Sequence, residues 1–131
     1  MTQPYVLNIK KAAKDNDFFR KVLYTGTKSQ VVLMSLEPGE EIGMEVHEVD
    51  QILYAVEGDG KVVIDGVENV FEKGVVACVP AGAQHNVLNT NSAPMKLFTI
   101  YAPPEHAAGT IHRTKAEAES AEAKALESTK A

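Results

Sequence analysis

From Phe18 to Tyr101 the chain reads as short apolar or alternating runs, each ended by glycine, proline or a polar turn. Phe18 to Thr25 and Gln30 to Leu36 are rich in β-branched, aromatic and apolar residues and predict two strands joined by the turn Gly26-Thr27-Lys28-Ser29. Pro38-Gly39 marks the next turn. Strands follow over Gly43 to His47 and Gln51 to Glu57, separated by a polar bend at Glu48-Val49-Asp50. Gly58-Asp59-Gly60 reads as a turn, Lys61 to Ile64 as a strand, and Asp65-Gly66 as a hairpin turn answered by Val67 to Phe71. Past Glu72-Lys73-Gly74, the near-continuous apolar run Val75 to Val79 predicts a strand buried on both faces or in a sandwich core. His85 to Asn89 and Lys96 to Tyr101 are the last strands, set off by the turn Pro80 to Ala83 and the loop Thr90 to Pro94.

The flanks differ. Asn8 is placed to N-cap a short helix over Ile9 to Lys14, with Asp15-Asn16-Asp17 turning into the first strand. After Pro103-Pro104 the composition shifts. Lys115 to Ala131 is alanine, glutamate and lysine with little apolar beyond Leu126, so it is helix-prone but has no stripe to bury. The pattern predicts an all-β sandwich or barrel with a short N-terminal helix and a peripheral C-terminal helical tail. The division expected is a β-barrel domain over 1–104 and a loop with a polar helical tail over 105–131.

At 131 residues the chain is one domain by size, and its 44% hydrophobic content suits a buried core. A net charge of −5 argues against nucleic-acid binding, which needs a basic face. No apolar run reaches transmembrane length, which argues against a membrane partner. Met1-Thr2-Gln3-Pro4 shows no leader pattern, and the lone Cys78 suits a reducing compartment, so a cytoplasmic protein is expected. Cys78 is read as a small buried hydrophobe.

The candidate chemistry lies in two stretches. Glu45, His47 and Gln51 share odd parity, so an unbroken strand would place them on one face; His85 and Asn89 share parity in the second stretch. Carboxylate, imidazole and amide donors converging from Glu45, His47, Gln51 and His85 suit one divalent transition metal: iron, manganese, nickel, cobalt or zinc. The alternative is a metal-free cluster whose polar groups satisfy one another by hydrogen bonds.

These stretches resemble the two motifs of the cupin superfamily. In the first motif Gly39, His47 and Gly58 fall at the family spacing, while Glu45 stands where a histidine is usual and Gln51 where a glutamate is usual. In the second, Gly74, Pro80, Gly82, His85 and Asn89 match without gaps. The resemblance implies a small jelly-roll barrel, often a homodimer, with a metal in the barrel mouth. The family includes dioxygenases, oxalate-cleaving enzymes, sugar-phosphate isomerases and epimerases, and non-enzymatic binding proteins, so fold does not fix function. The leading expectation is a metal-dependent cupin acting on a small oxygenated organic substrate, with dioxygenase chemistry ranked first and Glu45 as the base. The alternatives are a non-catalytic small-ligand-binding or sensor cupin and a sugar-phosphate isomerase or epimerase.

Other side chains are assigned plain roles. Asn89 is read as structural, Glu48 and Asp50 as solvated, and Met34, Leu53, Leu97 and Phe98 as core. Tyr54 and Tyr101 are read as packing residues. Arg20 and Lys21 are placed at the surface, although either could meet an anionic substrate. His106 and His112 are read as exposed, or at most as a lid.

Overall fold

The structure, a computed structural model, describes residues 4–130; Met1-Thr2-Gln3, read above for a leader, and Ala131 lie outside the described residues. Asn8 caps the first helix as its type suggests: its Oδ1 accepts from the Lys11 N–H at 3.1 Å, opening α1 (Ile9–Asp15). Among the described residues the strands that follow are β1 (Arg20–Thr25), β2 (Gln30–Leu36), β3 (Glu45–Val46), β4 (Asp50–Glu57), β5 (Asp59–Ile64), β6 (Val67–Glu72), β7 (Val76–Val79), β8 (Gln84–Asn89), β9 (Met95–Ala102) and β10 (Ile111–His112). The closing helix is α2 (Lys115–Lys130).

The strands form two antiparallel sheets. One has the order β10-β1-β2-β9-β4-β7 and the other β3-β8-β5-β6. Alternate side chains of each strand face the partner sheet. Val32, Met34, Leu53, Val62, Phe71, Val87 and Leu97 meet there as the core. On the outer face of the larger sheet, α1 packs Ile9, Ala12 and Ala13 against Leu33, Val56 and the stacked Tyr54–Phe98 pair. Lys96 also lies under α1, buried but fully used: its Nζ donates to Asn16 O, Asp17 Oδ1 and Ser35 Oγ at 2.6–3.1 Å.

Several expectations change. The strand expected over Gly43 to His47 shrinks to two residues. Gly43 has φ +107° and donates its N–H to Asn86 Oδ1, which turns the chain away until Glu45. The expected turn at Gly58-Asp59-Gly60 ends at Gly58, and Gly60 lies inside β5, paired with Phe71 and Asn89. A side chain cannot fit there, because a Cβ at Gly60 would collide with the Leu88 carbonyl oxygen and Met95 Cε. The Met95 methyl can swing aside but the backbone oxygen cannot. Gly60→Ala is therefore expected to cost about 1–3 kcal/mol, read as a lower urea midpoint.

The run Val75 to Val79 is not buried on both faces. β7 is an edge strand whose residues alternate: Ala77 and Val79 point into the core, while Val76 and Cys78 are exposed. The apolar run misled because nothing covers the outer face of this edge among the described residues. Cys78 is thus not the buried hydrophobe expected. A short strand also forms where a loop was expected, β10 pairing with β1 through Arg20↔His112 and Lys21↔Ile111. The tail helix is not wholly peripheral either. Ala118, only 2% exposed, belongs to the main core, so a small residue of this helix docks against the barrel. No helix among the described residues is long and apolar enough to cross a membrane.

Candidate metal centre

β3 pairs with β8 so that Glu45 stands directly opposite His85. Opposed residues in an antiparallel pair have their side chains about 5 Å apart on one face, which brings this carboxylate beside this imidazole. His47 follows β3 in the bend, and Gln51 begins β4 in the other sheet. The unbroken strand imagined for Glu45, His47 and Gln51 does not exist. The bend at 48–50 carries the chain from one sheet to the other, where Gln51 pairs across the strands with Tyr101, whose ring edges against His47.

Ligand atoms of Glu45, His47 and His85 all lie within 4.8 Å of one another. The two imidazole centroids are 5.2 Å apart. His85 Nδ1 lies 3.2 Å from the Ala83 carbonyl oxygen, which can only accept; the proton is therefore on Nδ1 and Nε2 carries the lone pair. His47 is held in the same sense, with Nδ1 3.1 Å from Glu105 Oε1 and Nε2 3.6 Å from Glu45 Oε2. That second separation is too long for a hydrogen bond and close enough for charge attraction. Gln51 is 3% exposed and donates from Nε2 to Thr99 Oγ1 at 3.0 Å, which fixes the flip of its amide and leaves Oε1 as a free acceptor.

The outcome is unusual for a packed interior. His47 Nε2, His85 Nε2 and Gln51 Oε1 are all buried with no hydrogen-bond partner among the described residues. Buried polar groups are nearly always satisfied. Among the described residues, hydrogen bonds within the cluster leave these acceptors open. Two imidazole nitrogens, an amide oxygen and a carboxylate instead fit a divalent transition ion. Each imidazole also has its other nitrogen bound to an oxygen, the arrangement that orients a metal-ligating histidine.

The charges agree. Burial pushes the Glu45 carboxyl up, but the adjacent His47 and the positive charge of Arg20 outweigh it and hold the group below its usual range. Burial pushes His47 down, and Glu45 with Glu105 more than reverse this, so His47 stays above an ordinary histidine. His85 is lowered, mainly by burial.

Around this cluster lie residues that sequence reasoning placed elsewhere. Arg20 is not at the surface: it is 2% exposed, and its Nη1 donates to His112 Nδ1 at 3.1 Å. Lys21 is half-buried. His106 and His112 are not exposed; both are half-buried. His106 edges against Tyr101, with ring centroids 5.2 Å apart, and Tyr101 in turn edges against His47 at 5.7 Å. Glu105, given no role from sequence, is the partner of His47. Gln30, fully buried, pins that segment: its Nε2 donates to the His106 carbonyl at 2.7 Å, and its Oε1 accepts from the Glu105 and His106 N–H groups at 3.2 and 3.0 Å. Gln30, Tyr101 and Gln51 sit side by side across β2, β9 and β4. A glutamine at an inward position of an otherwise apolar strand is the one signal that could have found Gln30. Asn89 is structural, donating to the carbonyls of Leu36, Glu37 and Ala93. Asp50 accepts from the Ala81 N–H at 3.0 Å, while Glu48 is exposed.

His106 has a consequence for pH dependence. Burial, then the charge of Arg20, pushes it down to about 3. The unfolded chain protonates this histidine near 6.5, the folded one only near 3, so between those values the unfolded state binds more protons. Stability therefore falls as pH falls through that window. In metal-stripped protein the free energy of urea unfolding is expected to drop from pH 7 to pH 4, and His106→Gln is expected to flatten the slope.

A cupin domain family model matches residues 32–101. The chain is 47% identical over 128 residues to the uncharacterized protein YrkC of Bacillus subtilis (strain 168), an overlap of 92% of this chain and 68% of that one. It is similar to the crystal structure of BH2720 from Bacillus halodurans, with TM-score 0.88 and 42% identity over 90% of this chain and 95% of that one. The crystal structure of TT1209 from Thermus thermophilus aligns with TM-score 0.67 and 30% identity, over 75% of this chain and 96% of that one.

Proposed function

Since the chain belongs to the cupin domain family, we propose that it is a metal-dependent enzyme acting on a small oxygenated organic substrate, with dioxygenase chemistry first. One observation carries this reading: three buried acceptor atoms, on His47, His85 and Gln51, stand without partners among the described residues, and the two imidazoles are grouped with the Glu45 carboxylate. His47 Nε2, His85 Nε2, Gln51 Oε1 and Glu45 would hold the ion. Two histidines and one carboxylate resemble the donor set of non-haem iron oxygenases, and manganese, nickel, cobalt and zinc accept the same atoms. A bound divalent ion would supply Lewis-acid and redox chemistry to a substrate oxygen.

The protein's own residues divide the remaining work. Glu45 lines an adjoining pocket as well as the donor cluster, so it is the carboxylate placed to take or return a substrate proton. Gln51 orients rather than titrates, because an amide cannot accept a proton near neutral pH. Burial raises the Tyr101 hydroxyl far above its usual value, so it remains a neutral wall. Phe19 and Met44 border the pocket and restrict water at one side.

The replacement of a titratable ligand by Gln51 favours a second reading, a cupin that binds a small ligand without turnover. Protein purified without a histidine tag should contain about one transition ion per chain. The iron-loaded form should consume oxygen with one of a panel of diketones, catechols and thiols. Neither uptake nor product with iron, manganese or nickel would leave the binding module standing. The reading includes a cytoplasmic homodimer, supported by the lone Cys78 and by Ile52 and Val76 exposed near the β7 edge.

A further inference from the structure

Arg20 is a buried cation without an adequate anion. Its side chain is 2% exposed and its Nε has no hydrogen-bond partner among the described residues. The ring of Phe19 lies 5.3 Å from its guanidinium carbon. His112, which accepts from Nη1, is itself pushed down by burial and by Arg20's charge, and so brings no negative charge. Among the described residues one carboxylate comes within 4.0 Å, Glu122 Oε1 on α2, at 3.9 Å and from a side chain 58% exposed, while Glu45 acts on Arg20 only from farther off. A contact of that length and exposure contributes little, whereas an unpaired buried cation is costly.

The guanidinium borders a pocket of about 210 Å³ between β1, the residues leading into β3, and α2. Glu45 lines the same pocket, so one cavity joins Arg20 to the donor cluster. Its charged lining is Arg20 and Lys115 against Glu45, Glu119 and Glu122. Lys115 and Glu119 are 3.9 Å apart, so they offset each other. The lining carries one negative charge in excess, and a divalent ion beside Glu45 would turn that into one positive charge. At about 30 Å³ for each water-sized occupant, the space suits a molecule of roughly seven heavy atoms.

We propose that this pocket takes a small monocarboxylic acid bearing a second oxygen, its carboxylate replacing Glu122 as the partner of Arg20 and its other end reaching Glu45 and the donor cluster. This deepens the function proposed above by naming the substrate class of the same site. A planar guanidinium fork matches a carboxylate better than it matches a neutral oxygen. With a divalent ion bound the charge balance admits one negative charge and disfavours a dianionic phosphate; in stripped protein the direct Arg20 contact acts against the lining's one excess negative charge, so the acid binds there more weakly. Glu122 then acts as a resident stand-in, delivered by a helix that touches the core through Ala118.

The test uses calorimetric titration of full-length, EDTA-stripped protein with 3-hydroxybutyrate, and with 3-hydroxybutyramide as its neutral counterpart. The acid is expected to bind and the amide not to bind. Glu122→Gln, which removes the competing carboxylate, is expected to bind the acid roughly three- to fivefold tighter, since the contact removed is a weak one. Arg20→Gln is expected to lose binding, and Arg20→Lys to retain only part of it. Equal binding of acid and amide, or an acid affinity unmoved in Glu122→Gln, overturns the proposal. If Arg20→Gln does not fold, the Glu122→Gln comparison still decides, because a purely structural Arg20–Glu122 contact would not raise affinity when broken. A stripped protein keeps this outcome separate from the metal reading. Acid binding that depends on Arg20 in a chain that never retains metal would sink only the function proposed above.

Discussion

His85→Ala is expected to fold and to hold no stoichiometric transition metal. Residues buried to this degree usually cost several kcal/mol when truncated, but His85 differs. It is 3% exposed, and its Nε2 has no partner among the described residues. Its desolvation is therefore uncompensated without an ion, and removing an unsatisfied polar group recovers part of the cost of the cavity. In metal-stripped protein the substitution should change unfolding free energy by about 1 kcal/mol or less, a net of those opposing effects. With metal present the comparison reverses. An ion at a hundred times its dissociation constant stabilises the native state by about 2.7 kcal/mol, and only the parent protein gains it. The measurement is thermal unfolding with and without added manganese, alongside elemental analysis. A shift on metal addition as large in His85→Ala as in the parent would remove the site as drawn.

The second large effect concerns a residue that supplies no candidate ligand atom itself. Glu105→Gln is expected to weaken metal binding by about 10- to 100-fold, the usual cost of losing a partner that orients a ligating histidine. Glu105 Oε1 lies 3.1 Å from His47 Nδ1 and draws the ring proton to that nitrogen, so that Nε2 presents its lone pair to the cluster. Glutamine keeps the shape and removes the charge. If orientation alone matters, the amide oxygen accepts the same proton and little is lost; if the charge raises His47's basicity, the loss is large. The raised pKa of His47, in which Glu105 takes part, argues for the second. Competition with a coloured chelator measures the affinity directly. Unchanged affinity would reduce Glu105 to a spacer.

Legibility in the sequence followed the range of the interactions. The capped helix α1, the strand β2 and the Asp65-Gly66 hairpin were readable because their determinants lie within a few residues: an Asn8 side chain, a β-branched run, a turn with Asp65 at φ +47°. The four candidate donors were named from motif spacing and parity. Parity was nonetheless the wrong reason for joining Gln51 to Glu45, since they belong to different sheets. Gly60 looked like a turn because glycine usually marks one; what requires it is the Leu88 carbonyl, 28 residues on in the chain. Arg20 was set at the surface because a cation normally pays heavily for burial, and only the fold shows the His112 and α2 that surround it.

The order of hydrophobic and polar residues by itself determined an all-β sandwich or barrel of short strands with helical ends, and the residue types at the two motifs determined which side chains could hold a divalent ion. These depend on backbone preference and on which face of each strand avoids water, both written locally. Tertiary structure alone decided that Glu45 faces His85, that Glu105 meets the His47 ring, and that Gln51 Oε1 and Arg20 Nε are buried without a partner among the described residues. Each of those depends on groups distant in the chain or in different sheets, and such arrangements exist only once the two sheets have closed.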